Sequence, residues 1–153
     1  MKNVFNKLLL ATGIVFSTII FLGSCSKNDD DTSMGSSDNK NYFVNNVLAR
    51  DLTVTLAKDN NTDITADFVS YTFRLNDSTG TYGSISAANI QKTIIGTWTA
   101  DANFENLTFN FAATPVPALA FISKQWNITS RAGVTTTFAA TNGEADMFQF
   151  TKK

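Results

Sequence analysis

The sequence predicts an all-β domain of about eight antiparallel strands in a meander, closing as a small barrel or lying as a flattened sandwich. Three observations predict it. Short runs of Thr, Val, Ile and Phe alternate with period two, as strands with one buried and one solvated face do. Turn residues fall between those runs at short, regular spacing. All of the 13 Phe except Phe5, Phe16 and Phe21 lie from Phe43 onward, so the aromatic mass coincides with the strands.

The elements follow in order. Leu52-Thr-Val54-Thr-Leu56 alternates within a strand expected near 52–57. Lys58-Asp59-Asn60-Asn61 is turn chemistry. Asp63 to Phe68 breaks the alternation and reads as a helical turn, with Thr65 as its cap. Tyr71-Thr-Phe73-Arg-Leu75 marks a strand near 70–76, and Asn76-Asp77-Ser78-Thr79-Gly80 turns the chain toward strands near 81–86 and 92–100. Leu107-Thr-Phe109-Asn-Phe111 predicts 106–112. Pro115 and Pro117 forbid a regular ladder, so 113–122 is expected as a loop or short helix crossing one end of the sheet. Trp126-Asn-Ile128 and Phe148-Gln-Phe150 belong to strands near 124–130 and 146–151, with another near 134–140. Arg131-Ala-Gly133 and Thr141-Asn-Gly143 turn the chain between them, since Gly and Asn accept positive φ cheaply. Phe111-Ala-Ala-Thr114 recurs as Phe138-Ala-Ala-Thr141, which two hairpins of similar build explain. The stretch 43–51 is open between a helix, a first strand and a tether. Eight strands close around an interior that fits side chains or one small ligand.

Composition narrows the chemistry. The chain has 153 residues, 12 Lys plus Arg, 13 Asp plus Glu, no His and one Cys. Histidine acid–base catalysis, a His-ligated metal and a Ser-His-Asp triad are excluded. One Cys forms no internal disulfide. A formal charge of −1 speaks against nucleic acid as a partner.

The first 24 residues read as a targeting segment. Lys2 and Lys7 precede an uncharged apolar run from Leu8 to Leu22. That run is short of the ~20 residues of a membrane span and suits the apolar core of a secretory signal. It ends Leu22-Gly23-Ser24-Cys25, which resembles the lipobox of bacterial lipoproteins. The resemblance implies cleavage before Cys25 and lipidation of its thiol and freed amine, two anchors where one acyl chain would hold weakly. The following Ser26, Lys27, Asp29, Asp30 and Asp31, interrupted by Asn28, resemble the acidic surface-export signal of Bacteroidota lipoproteins. The stretch 25–42 therefore reads as lipidated Cys plus an acidic, Ser-rich tether too polar to order itself. The β domain is expected over 43–153.

The mature domain resembles small lipocalin-like (calycin-type) lipoproteins of Bacteroidota. The resemblance is carried by Asp63-Ile-Thr65-Ala-Asp67-Phe68 running into Tyr71-Thr-Phe73, by Gly96-Thr-Trp98, by Leu107-Thr-Phe109-Asn-Phe111, by Trp126-Asn-Ile128 and by Phe148-Gln-Phe150-Thr-Lys-Lys. It covers roughly residues 50–153 and implies a lipocalin-like barrel on an outer-membrane, cell-surface lipoprotein. In lipocalins Gly-x-Trp stands on the first strand; here it falls on the fourth expected one. Trp98 and Trp126 are large enough to plug an end of a small barrel, or to offer a sugar-stacking wall.

Candidate chemistry is sparse. Asp59-x-Asn61-x-Asp63 opens like a calcium loop, but the required Gly and Glu positions hold Ile64 and Ser70. Asp101 with Glu105, and Glu144 with Asp146, are the carboxylate pairs a glycosidase would need; both fall in expected turns. Asp77-Ser78-Thr79 resembles a Bacteroidota O-glycosylation signal, with Ser78 as acceptor. Thr135, Thr136 and Thr137 read as a solvated strand face. The expectation is a non-catalytic binding domain for a small apolar ligand or a glycan, without metal or cofactor and with its ligand residues unassigned. It would meet the membrane through the lipid on Cys25. The alternatives are an accessory subunit of a surface complex and an envelope protein inhibitor.

Overall fold

The structure, a computed structural model, describes residues 35–112 and 116–153. Residues 1–24, read as a targeting segment, Cys25, and Ser26, Lys27, Asp29, Asp30 and Asp31, read as an export signal, lie outside the described residues.

The strands are β1 (Leu52–Asp59), β2 (Thr62–Asp63), β3 (Thr72–Asp77), β4 (Tyr82–Ala88), β5 (Thr93–Ala100), β6 (Asn106–Asn110), β7 (Gln125–Ala132), β8 (Thr135–Ala140) and β9 (Met147–Lys152). From β3 onward each strand pairs antiparallel with the next, and β9 returns to pair with β1. The result is a closed eight-stranded meander, a lipocalin-like barrel rather than a sandwich, with β2 as a short extra strand on β1. Asn60 and Asn61 both have positive φ, 45° and 67°, and link β1 to β2 as the two central residues of a tight hairpin turn.

Two departures from simple alternation have local causes. The β1–β9 register shifts between Val54 and Leu56. A bulge moves the inward parity by one residue, so Leu56 is half-buried and Ala57 takes the core position. Thr65 does not cap the turn it begins. The 3-10 turn Thr65–Phe68 is capped at Ile64, and the Thr65 hydroxyl instead accepts the Ala57 N–H at 2.9 Å.

The seam between β1 and β3 is thin, with Leu52↔Phe73 as its registered pair. The chain reinforces it from both sides. Leu48 bridges Leu75, whose carbonyl accepts the Ala49 N–H at 2.7 Å. At the other end of the seam, Thr65 ties the 3-10 turn back to Ala57.

Helix α1 (Ser36–Asn46) occupies a stretch expected as tether up to residue 42. Its composition, SSDNKNYFVNN, is poor in helix formers, and no side chain caps its start. It is helical because Asn39, Phe43 and Val47 stand four apart on one face and are all buried. Phe43 lies 5.1 Å from Trp98 and 5.2 Å from Phe104, ring centre to ring centre. Helix α2 (Pro117–Ile122) starts on Pro117 and buries Ala118, Leu119 and Ile122.

The interior is aromatic. Phe138 stacks on Phe148 at 4.5 Å, and Phe148 and Phe150 meet edge to face at 5.0 Å. Phe73, Phe109 and Phe111 complete this packed column. The two Trp serve opposite ends. Trp98 lies under α1 and donates its indole N–H to the Asn76 carbonyl at 3.0 Å. Trp126 lies beside α2 and donates to the Ile122 carbonyl at 2.8 Å. Gly83, paired with Trp98 across β4–β5, makes room for that indole: a Cβ there would stand 1.8 Å from the Asn76 oxygen and 2.9 Å from Trp98 Nε1.

Gly83→Ala is expected to cost about 2–3 kcal/mol, because rigid backbone and a plugging indole must both shift. Gly80→Ala, at φ 90° with no atom within 4 Å of the new Cβ, carries backbone strain alone, about 1 kcal/mol. Thermal unfolding followed by circular dichroism should rank the two in that order; equal losses would remove the Trp98 argument.

Candidate functional site at the α2 end of the barrel

The barrel has two differently built ends. The β3–β4, β5–β6 and β7–β8 turns gather with α1 at one. There Asn39 donates to the Asn103 carbonyl at 3.1 Å, Tyr42 donates to the Thr135 carbonyl at 2.8 Å, and Arg131 donates to the Phe104 carbonyl at 2.9 Å. Phe104, at φ 56° and fully buried, is held in a strained backbone state by these contacts. Burial pushes the Arg131 guanidinium below its ordinary value, against the opposing pull of Tyr42, Glu105 and Asp101. This end is closed by structure.

The other end holds the β1–β2 hairpin, the 3-10 turn, α2 and the β8–β9 connection. Lys124 is its electrostatic hub. Its ammonium pairs with Asp146 and, at 3.0 Å, with Glu144. It also stands 5.0 Å from the ring centres of both Phe121 and Trp126. Asp146 is buried and further accepts the Asn60 N–H at 2.7 Å. Burial pushes Asp146 upward, but the Lys124 and Asn60 hydrogen bonds outweigh it and leave the carboxyl below its ordinary value. Burial pushes Lys124 down, and its two carboxylate partners more than restore it, so it sits above its ordinary value. Ionised acid and protonated amine form a clasp, joining the β1–β2 hairpin, β7 and the β8–β9 connection.

Beside this clasp, between the 3-10 turn and the start of α2, opens a cleft of about 320 Å3. Its lining is Asp67, Ser70, Tyr71, Val116, Pro117 and Ala118. Tyr71 is 8% exposed, with its ring 6.1 Å from Phe73. Val69 and Ile90 stand exposed at this same end, at 79% and 100%.

The residues singled out in the sequence separate clearly. Asp59 accepts from the Asn60 side chain and Asp63 from the Thr65 N–H at 2.8 Å, so Asp59, Asn61 and Asp63 belong to a hairpin and the turn after it. Among the described residues no group of three or more Cys, Asp or Glu converges as a metal site. Asp101 staples its own loop, accepting from the Glu105 and Asn106 backbone N–H groups, and its charge and that of Glu105 both act on Arg131. Glu144 and Asp146 do meet, on Lys124. Trp98 and Trp126 are fully buried and offer no stacking wall. Ser78 lies exposed in the β3–β4 turn. Thr135 and Thr137 lie half-buried on the outer face, and Thr136 is buried, its hydroxyl 3.2 Å from that of Tyr42. Lys124 carried no sequence signal; Asp67, Tyr71 and Pro117 were marked for other reasons, and only topology brings them to one cleft. Among the described residues no helix is long and apolar enough to cross a membrane.

The clasp predicts a pH dependence. Asp146, lowered from 3.8, contributes stability that is present above that value and lost as pH falls through the depressed one. Lys124, raised from 10.5, contributes stability that is present below that value and lost as pH rises through the raised one. Asp146→Asn should cost about 2–3 kcal/mol at neutral pH, since a largely buried ammonium loses its main partner. The variant's acid limb should also flatten. Denaturant melts from pH 7 down to pH 2 measure both, and an acid limb as steep as the parent's would assign it to other carboxylates.

Comparison with known protein families, with curated proteins and with solved structures finds no match to this chain.

Proposed function

We propose that this chain is a lipid-anchored protein of the bacterial outer surface, of the small lipocalin-like Bacteroidota kind. Its barrel is a non-catalytic binding module for a glycan or small apolar ligand. The address rests on Leu22-Gly23-Ser24-Cys25 and the acidic run after it. The observation that carries the binding reading is the aromatic column filling the barrel between two stoppered ends, with an open cleft outside one of them. A core packed with its own Phe and Trp side chains favours a ligand on the outer surface over one inside. The open cleft lies at the α2 end. A protein partner at that end is the second reading, favoured by the exposed Val69 and Ile90.

Cys25→Ser should abolish incorporation of labelled palmitate and leave an uncleaved precursor. The parent chain on intact cells should be digested by added protease. Normal membrane partitioning of the variant, or a parent chain protected until the cells are broken, would overturn the address.

A further inference from the structure

We infer that the cleft between the 3-10 turn and α2 is a site for a single neutral sugar ring. This deepens the binding reading above and names the place and ligand class. Two properties of the lining carry it.

The first is a set of solvent-open polar groups that no described residue binds. Tyr71, Ser70 and Asp67 line the cleft, the last two solvent-exposed, and none of the three side chains hydrogen-bonds another described residue. Tyr71 is the informative member, because it is 8% exposed with its ring on Phe73, lines the cleft, and its hydroxyl hydrogen-bonds no described residue. Buried tyrosines ordinarily spend that hydroxyl on a partner, as Tyr42 does on Thr135 at the opposite end. One group here accepts only, and two both donate and accept. Sugar hydroxyls, which themselves donate and accept, satisfy that mixture; a purely apolar ligand would leave it desolvated and unpaired.

The second property is the opposite wall. Val116, Pro117 and Ala118 present an apolar surface on the start of α2, suited to the C–H face of a ring. A volume of about 320 Å3 lies at the low end of small-ligand sites, roughly 300–1,000 Å3, which limits the occupant to one ring. Among the described residues the lining holds one carboxylate and no cationic side chain, so anionic sugars are disfavoured.

The test uses the full chain in detergent and 1H–15N NMR, titrated with glucose, galactose and mannose, and separately with methylammonium chloride. The expected result is saturable shifts at the Asp67, Ser70 and Tyr71 amides with at least one hexose. Tyr71→Phe, which keeps the ring on Phe73, should weaken the apparent Kd roughly five- to tenfold, the loss of one hydrogen bond. Asp67→Asn, on an exposed turn, serves as a second variant that leaves the core intact and should also weaken binding. The absence of shifts with all three hexoses would overturn the inference. So would shifts unchanged by both variants, or shifts that methylammonium alone reproduces. Surface exposure is decided by the protease experiment and does not depend on this outcome.

Discussion

β1 pairs with β9 from Leu52↔Lys152 to Lys58↔Met147, and that pairing turns a twisted ribbon with two raw edges into a wall with none. Its consequences run through the molecule. Closure defines an inside, so every inward side chain has a fixed volume to fill. It also concentrates the fold's weakness at the β1–β3 seam, where β1 is held chiefly by β9 and lightly by β3. The chain compensates with backbone rather than sheet: the Leu48–Leu75 bridge on one side and the Thr65–Ala57 tie on the other.

A closed wall of eight strands still has two open ends, and each is stoppered by the same device. A Trp lies at the rim with its N–H given to a backbone carbonyl, and a short helix covers it. The helices are weak on their own: α1 is rich in Asn and Ser, and α2 spans Pro117–Ile122 alone. They persist because burial of Phe43, Val47, Leu119 and Ile122 outweighs poor propensity. Barrel and stoppers are therefore mutually dependent, and glycine at position 83 is the concession that lets one Trp reach its carbonyl.

A self-filled interior leaves the open space outside the barrel. The ends differ in what they leave available. At the α1 end Asn39 and Arg131 donate to loop backbone, including the Phe104 carbonyl, while Asn39 Oδ1 and Arg131 Nε stay buried without a partner among the described residues. At the α2 end the Lys124 clasp holds the frame, and the cleft beside it keeps Tyr71, Ser70 and Asp67 uncommitted.

Much of this was legible in the sequence, for a definable reason. Period-two runs such as Tyr71-Thr-Phe73-Arg-Leu75 and Leu107-Thr-Phe109 report which face is buried, and Asn and Gly report where backbone must turn, so strands and turns are local information. A bulge is not: at Val54–Leu56 it hands the core position from Leu56 to Ala57, a choice made by the register against β9. Helix α1 was hidden by its polar composition, although Asn39, Phe43 and Val47 already stood four apart; only Trp98 and Phe104, distant in sequence, made that spacing count. The pairing of Glu144 with Asp146 could be read, but not the lysine between them. The cleft could not be read at all. By itself the sequence determined an all-β meander with an aromatic core. Tertiary structure alone decided that the barrel closes, that both ends are stoppered and that Asp67, Tyr71 and Pro117 share one cleft, because those are contacts between residues far apart in the chain.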